Sequence, residues 1–198
     1  MNAAPQRSPV LEPGREASLV RAAQGGDQAA FAEIVRHFQR PVYRVAYALT
    51  RNPSDADDLA QETFVRAYQA IGRFRAGEPL YPWLSRIAVN LTYSLFRRRR
   101  RRPETSIEPL LESGRQWAAP DDPAERAAES EQHERLAASF AELSPEHQAV
   151  LTLRVVESLS YDEIARALGV PPGTVMSRLS RARAELRLRF HARTGEGP

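Results

Sequence analysis

The stretch Tyr161–Leu186, YDEIARALGVPPGTVMSRLSRARAEL, decides how the rest of the chain is read. Ser160 just before it and Glu163 three residues on form a capping box, in which hydroxyl and carboxylate each satisfy a free backbone donor. The helix so started covers 161–168 and stops at Gly169, where a left-handed residue is wanted. Pro171, Pro172 and Gly173 carry the turn, and Thr174 is expected to cap the next helix. Ile164, Leu168, Val170 and Val175 would close the core, and Ala165 is small enough for the two helices to approach closely. The pattern predicts a helix-turn-helix. On a 3.6-residue wheel Val175, Leu179, Ala182 and Leu186 fall within about 60° of one another. That face is buried, so Ser177, Ser180 and Arg181 point outward, with Met176 and Arg178 on the flanks. An exposed helix N-terminus bearing Thr174, Ser and Arg suits the major groove: Arg bonds guanine O6 and N7, and Ser and backbone N–H groups hold phosphates.

Outward from that stretch, the chain reads as helix throughout. No segment alternates with period two. Asp27 caps a helix running to about Phe38, and Val42, Val45, Ala46 and Leu49 give the next apolar stripe after Pro41. Asn52-Pro53-Ser54-Asp55 is a helix start, with a cap residue, proline at the first helical position and an acid in the first turn. That helix is expected to bury Leu59, Phe64, Tyr68 and Ile71. Pro82 opens a longer helix to 102, buried through Leu84, Ile87, Ala88, Leu91 and Leu95. Its other face carries Arg86, Asn90, Tyr93 and Arg97 at spacings of four, three and four. Six consecutive Arg, Arg97–Arg102, extend it. Phe74, Tyr81 and Trp83 stand beside this basic face, near the loop 72–80, and aromatics in that setting stack on unpaired bases.

Prolines divide the chain. Pro103, Pro109, Pro120 and Pro123 mark a stretch without periodicity. The expected organisation is a disordered tail at 1–15, a helical domain at 16–102, a linker at 103–123, a second helical domain at 124–193 and a tail at 194–198. The fold class is all-α: two small helical domains joined by a flexible linker. Charge follows the same division. Between Pro103 and Arg135 nine acids stand against three Arg, whereas both flanking stretches are basic.

The whole chain has 198 residues, 42% hydrophobic and 27% charged, enough apolar material for folded cores. All 28 basic residues are Arg. A GC-rich coding sequence suffices to explain that composition, so the positions say more than the number. Cysteine is absent, which excludes disulfides, thiolate metal sites and a cysteine nucleophile. His37, His133, His147 and His191 are scattered without metal-ligand spacing, and no glycine-rich phosphate loop occurs. No catalytic residue, metal or cofactor is assigned. No apolar run reaches the ~18 residues of a membrane span, and Met1–Gly14 lacks the apolar core of a signal peptide. The expected compartment is the cytosol.

A third feature is the acidic patch Asp57-Asp58-Leu59-Ala60-Gln61-Glu62. Asp58, Gln61 and Glu62 share one helical face. Asp55 and Asp57 sit near the helix start and offset the macrodipole; Glu62 lies too far in for that. Such a face repels DNA and suits a basic protein partner.

These residues resemble the extracytoplasmic-function (group IV) sigma factors of bacterial RNA polymerase, from about Glu16 to Phe190 apart from the linker. Asp55–Phe64 looks like region 2.2, Pro82–Asn90 resembles regions 2.3–2.4, and Leu159–Arg183 looks like region 4.2. The resemblance implies that Asp58, Gln61 and Glu62 dock on the β′ clamp helices of core polymerase, with the β subunit as a further contact. It implies that Phe74, Arg86, Asn90, Tyr93 and Arg97 engage the melted −10 element, and that Thr174, Met176, Ser177, Arg178, Ser180 and Arg181 read the −35 element. Position 176 is often Lys or Arg in the family, so Met176 implies altered −35 readout, such as contact with a thymine methyl. A separate anti-sigma protein is the implied regulator, the linker is expected near the RNA exit path, and the factor is nucleoid-associated when bound to polymerase. A stand-alone helix-turn-helix regulator is the alternative, and it leaves the Asp58–Gln61–Glu62 face without a role. An RNA-binding or nucleoid protein using the Arg run is a further rival, and it leaves the helix-turn-helix without one.

Overall fold

The computed structural model describes residues 11–101 and 123–194. The linker expected at 103–123 therefore lies outside the described residues except for Pro123. Among the described residues eight α-helices form two lobes. Lobe one holds α1 (Pro13–Gln24), α2 (Gln28–Thr50), α3 (Pro53–Ala70) and α4 (Leu80–Arg101), with a 3₁₀ turn at Ile71–Arg73 after α3. Lobe two holds α5 (Pro123–Ala141), α6 (Pro145–Leu151), a π-helical turn at Thr152–Val156, α7 (Tyr161–Leu168) and α8 (Pro172–Thr194). The first helix begins at Pro13, inside the tail expected at 1–15.

The helix starts follow local chemistry. Asp27 accepts from the backbone N–H groups of Ala29 and Ala30, and Asn52 accepts from Asp55. One cap comes from a distant residue. Glu16 of α1 accepts the Leu80 N–H at 2.8 Å and so holds the start of α4. Burial raises the Glu16 carboxyl above its ordinary range, against the opposing pull of that hydrogen bond.

Helix α2 runs unbroken through Pro41, where the apolar pattern suggested two segments. Proline removes one backbone bond and crowds the preceding turn, at a cost of about 3 kcal/mol. Phe38, Val42 and Val45 are each fully buried on one continuous stripe. At about 1.5–3 kcal/mol per buried side chain, that stripe outweighs the proline. Tyr68 departs from expectation in the other direction. It is 45% exposed and meets Phe31 edge to face, with ring centroids 4.9 Å apart.

The two lobes share a core. Phe38, Leu80 and Leu84 of lobe one belong to the same buried cluster as Leu153, Leu159 and Ile164 of lobe two. Helix α4 packs along α7, and α2 packs against the π-helical turn.

Candidate nucleic-acid interface

The helix-turn-helix forms as its sequence dictates. Ser160 accepts from the Glu163 N–H while the Glu163 carboxylate accepts from the Ser160 N–H, closing the capping box. Gly169 ends α7 in the left-handed region at φ 67°. Ile164, Ala165, Val175, Leu179 and Ala182 are buried between α7 and α8. Thr174 does not cap α8. The helix already starts at Pro172, and the Pro171 carbonyl accepts the N–H groups of Thr174 and Val175. Proline at the first helical position loses no hydrogen bond, so the start moves ahead of Thr174.

On the outer face of α8, Ser180 and Arg181 are exposed and Met176 is 57% exposed. Arg181 makes no ion pair among the described residues. Thr174, Ser177 and Arg178 are half-buried, and the Ser177 hydroxyl donates to the Thr174 carbonyl at 3.0 Å.

On α4, Arg86, Asn90 and Arg97 are exposed. Arg97 donates to the Ser94 hydroxyl at 2.9 Å, and Ser94 in turn donates to the Asn90 carbonyl. Tyr93 is half-buried against lobe two, where its phenol donates to the Pro145 carbonyl at 2.9 Å. Burial, followed by the nearby Glu146 carboxylate, pushes that phenol well above its usual range. Phe74 lies on Trp83, with centroids 4.8 Å apart, and both pack partly against the core. The loop that carries Phe74 is fixed from behind, because the Gln24 side chain donates to the carbonyls of Ile71 and Phe74.

The acidic face of α3 presents Asp58 and Gln61 to solvent, and Glu62 is half-buried beside Arg66, which it accepts at 2.7 Å. Asp55 plays a separate part. It holds Arg99 through two bonds of 2.8 Å and is only 15% exposed, which ties the Arg run of α4 back to the start of α3.

Sequence reasoning missed Glu157. This carboxylate is 0% exposed, and it accepts from Arg44 Nε at 2.9 Å, Arg44 Nη2 at 2.7 Å and the Tyr81 hydroxyl at 2.7 Å. Burial, then the charge of Glu157, raises the Tyr81 phenol far above its ordinary value. The available signal was an acid among apolar neighbours, between Val156 and Leu159. Among the described residues no group of three or more His, Asp or Glu is placed to hold a metal ion. No described helix is long and apolar enough to cross a membrane.

A helix-turn-helix lobe joined in one chain to a lobe with a basic, aromatic-flanked helix defines a two-module DNA-binding factor. The sequence profile of Sigma-70 region 2 matches residues 34–102, and that of Sigma-70 region 4 matches residues 133–186. The chain is 40% identical over 166 residues to the ECF RNA polymerase sigma factor SigE of Mycolicibacterium smegmatis, covering 82% of this chain and 63% of that protein. It is 32% identical to the RNA polymerase sigma-H factor of Pseudomonas aeruginosa, covering 88% of this chain and 93% of that protein. The structure of the sigma factor RpoE from Bartonella quintana, in complex with the anti-sigma factor NepR, superposes with a TM-score of 0.65 at 26% identity. That match covers 81% of this chain and 96% of that one. The chain belongs to the sigma-70 family, among the extracytoplasmic-function sigma factors. A protein of this kind gives core RNA polymerase its promoter specificity.

Proposed function

We propose that the three faces described above divide the work of promoter recognition as follows. The outer face of α8 reads the −35 element in the major groove, through Arg181 and Ser180 with Thr174, Met176, Ser177 and Arg178 at its edge. An Arg on a guanine edge supplies about 1–3 kcal/mol of discrimination. The α4 face takes the −10 element, with Asn90, Arg86, Tyr93 and Arg97 beside the Phe74 loop. A base drawn out of the stack there costs a few kcal/mol, which stacking and hydrogen bonds must offset. Asp58, Gln61 and Glu62 grip core polymerase at the β′ clamp helices, and the β subunit makes a further contact.

The chain itself performs no catalysis; bond formation belongs to polymerase. It joins the nucleoid through the holoenzyme. An anti-sigma protein restrains it, a reading supported by the inhibitor-bound relative and by an open cleft of about 1930 Å³ between the lobes. Phe64 and Tyr68 of lobe one face Leu136, Phe140 and Val155 of lobe two across that cleft, which suits an amphipathic helix.

The observation that carries the reading is the coexistence, on one chain, of an α8 face with an exposed Arg181 and a carboxylate face on α3 that DNA would repel. Run-off transcription with core polymerase, with and without the chain, tests it. Promoter-specific transcripts only in its presence are expected. Tight operator binding without any effect of core polymerase would favour the stand-alone regulator.

A further inference from the structure

Both ends of the loop that carries Phe74 are tied to one helix. At the entry, the Gln24 amide donates to the Ile71 carbonyl at 2.9 Å and to the Phe74 carbonyl at 2.6 Å. At the exit, Glu16 accepts the Leu80 N–H at 2.8 Å. Glu16 and Gln24 stand eight residues apart on α1, about 12 Å along its axis. Helix α1 therefore spans the base of the loop. It precedes residues 34–102, the span matched to region 2, and it carries none of the side chains assigned above to DNA or polymerase.

Each tie fixes a different part of the path. At Phe74 the backbone passes from the 3₁₀ turn into extended chain, with φ −74° and ψ 135°. Gln24 bridges the carbonyls before and at that change, so it sets where the Phe74 ring lies against Trp83. Glu16 satisfies a free donor at the start of α4, and so fixes where the chain leaves the loop and enters helix. Between the ties the chain closes a tight turn, with the Glu78 N–H on the Arg75 carbonyl at 3.1 Å and Gly77 at φ +102°. The helix is itself held firmly. Val20 and Ala23 are buried in the core, and the Asp27 N–H bonds the Ala22 carbonyl at 3.1 Å.

All three bonds go to backbone atoms of the loop ends, not to loop side chains. The path is set while Arg73, Arg75 and Glu78 stay exposed. A loop ordered in advance loses less entropy on binding, and a fixed path holds a stacking ring where one base fits better than another. We propose that Glu16 and Gln24 of α1 are positioning residues that preform the loop 71–80 and thereby set base preference at the −10 element. The proposal rests on the reading of α4 and the Phe74 loop given above.

Two measurements on the full chain test it. Amide hydrogen exchange in the free chain reads the ties without DNA. Gln24→Met keeps the side-chain length and removes the donors, and should speed exchange at Phe74 and Glu78 by about tenfold. Glu16→Leu should act likewise at Leu80, and Glu16→Gln, which keeps an acceptor, should not. The second measurement is run-off transcription by the holoenzyme from a template pool randomised across the −10 segment at a constant −35 sequence. The parent is expected to favour one base by about tenfold or more at one −10 position at least. Gln24→Met and Glu16→Leu should each cut that preference to about threefold, and Glu16→Gln should keep it. Preference between two −35 sequences and co-elution with core polymerase should stay as in the parent, which separates positioning from a general loss of fold. Unchanged exchange in Gln24→Met and Glu16→Leu overturns the ties. Faster exchange with the parent's −10 preference overturns their role in readout, as does a joint loss of −10 and −35 preference. A parent without any −10 preference counts against the reading of α4 rather than against the ties, which exchange measures alone.

Discussion

Arg86 of α4 lies across Gly169 of the other lobe: a Cβ on that glycine would stand 3.0 Å from the Arg86 Nη2. Gly169 also holds φ +67°, a conformation that favours glycine. The guanidinium is the far end of a flexible chain and can give way, so the backbone term dominates. Gly169→Ala should destabilise the protein by about 1–2 kcal/mol, and Gly169→Asn by less, because asparagine tolerates this region. Urea denaturation of the full chain measures both. Equal losses for Ala and Asn would point to the Arg86 contact instead.

Arg181 supplies the second prediction. It is exposed on the α8 outer face and makes no ion pair among the described residues. Arg181→Ala should cost about 1–3 kcal/mol at the −35 element and leave core polymerase binding unchanged. Competition between promoters with intact and scrambled −35 sequences reads this directly. A variant that discriminates as well as the parent removes Arg181 from the readout.

The α3 face makes a complementary prediction. Asp58→Ala, Gln61→Ala and Glu62→Ala together should weaken association with core polymerase at least tenfold while helical content is kept. Asp58 and Gln61 are solvent-exposed, and Glu62 loses only a surface pair with Arg66, worth well under about 1 kcal/mol. Co-elution with core polymerase measures it. Undiminished association in the triple variant assigns the contact to another surface.

The pairing of α8 with the α5–α6 turn and with α6 predicts a pH dependence. Arg193 and then Arg189 lower the Glu142 carboxyl, and Arg189 and then His147 lower that of Glu185. Both folded pKa values lie below the unfolded ones. The stability they contribute is present above the ordinary glutamate range and is lost as pH falls through the folded values. Glu142→Gln with Glu185→Gln should therefore flatten the decline of melting temperature between about pH 5 and about pH 3. A decline as steep as the parent's would locate the acid sensitivity elsewhere.

The parts of this fold that were legible in sequence are those decided within a few residues. The capping box at Ser160 and Glu163, the stop at Gly169 and the start at Asn52-Pro53 needed no distant partner. Thr174 misled because Pro171 and Pro172 offered an earlier start. The passage of α2 through Pro41 was hidden because only the burial of Phe38, Val42 and Val45 shows what offsets the proline. The faces of α4 and α8 were readable as polar stripes, but their surroundings were not. Arg44 and Glu157 are 113 residues apart and Tyr93 and Pro145 are 52 apart, so lobe packing that covers Tyr93 left no local mark. The linker left the placement of the two lobes open; the shared core shows them packed.

The most direct test of the central claim is run-off transcription by core polymerase on two templates that differ only in the −35 sequence, with this chain as the sole factor. The account predicts transcripts that depend on the chain, start at one site and favour one −35 sequence, with that preference reduced by Arg181→Ala. Transcript levels indifferent to the chain, or raised equally on both templates, contradict it.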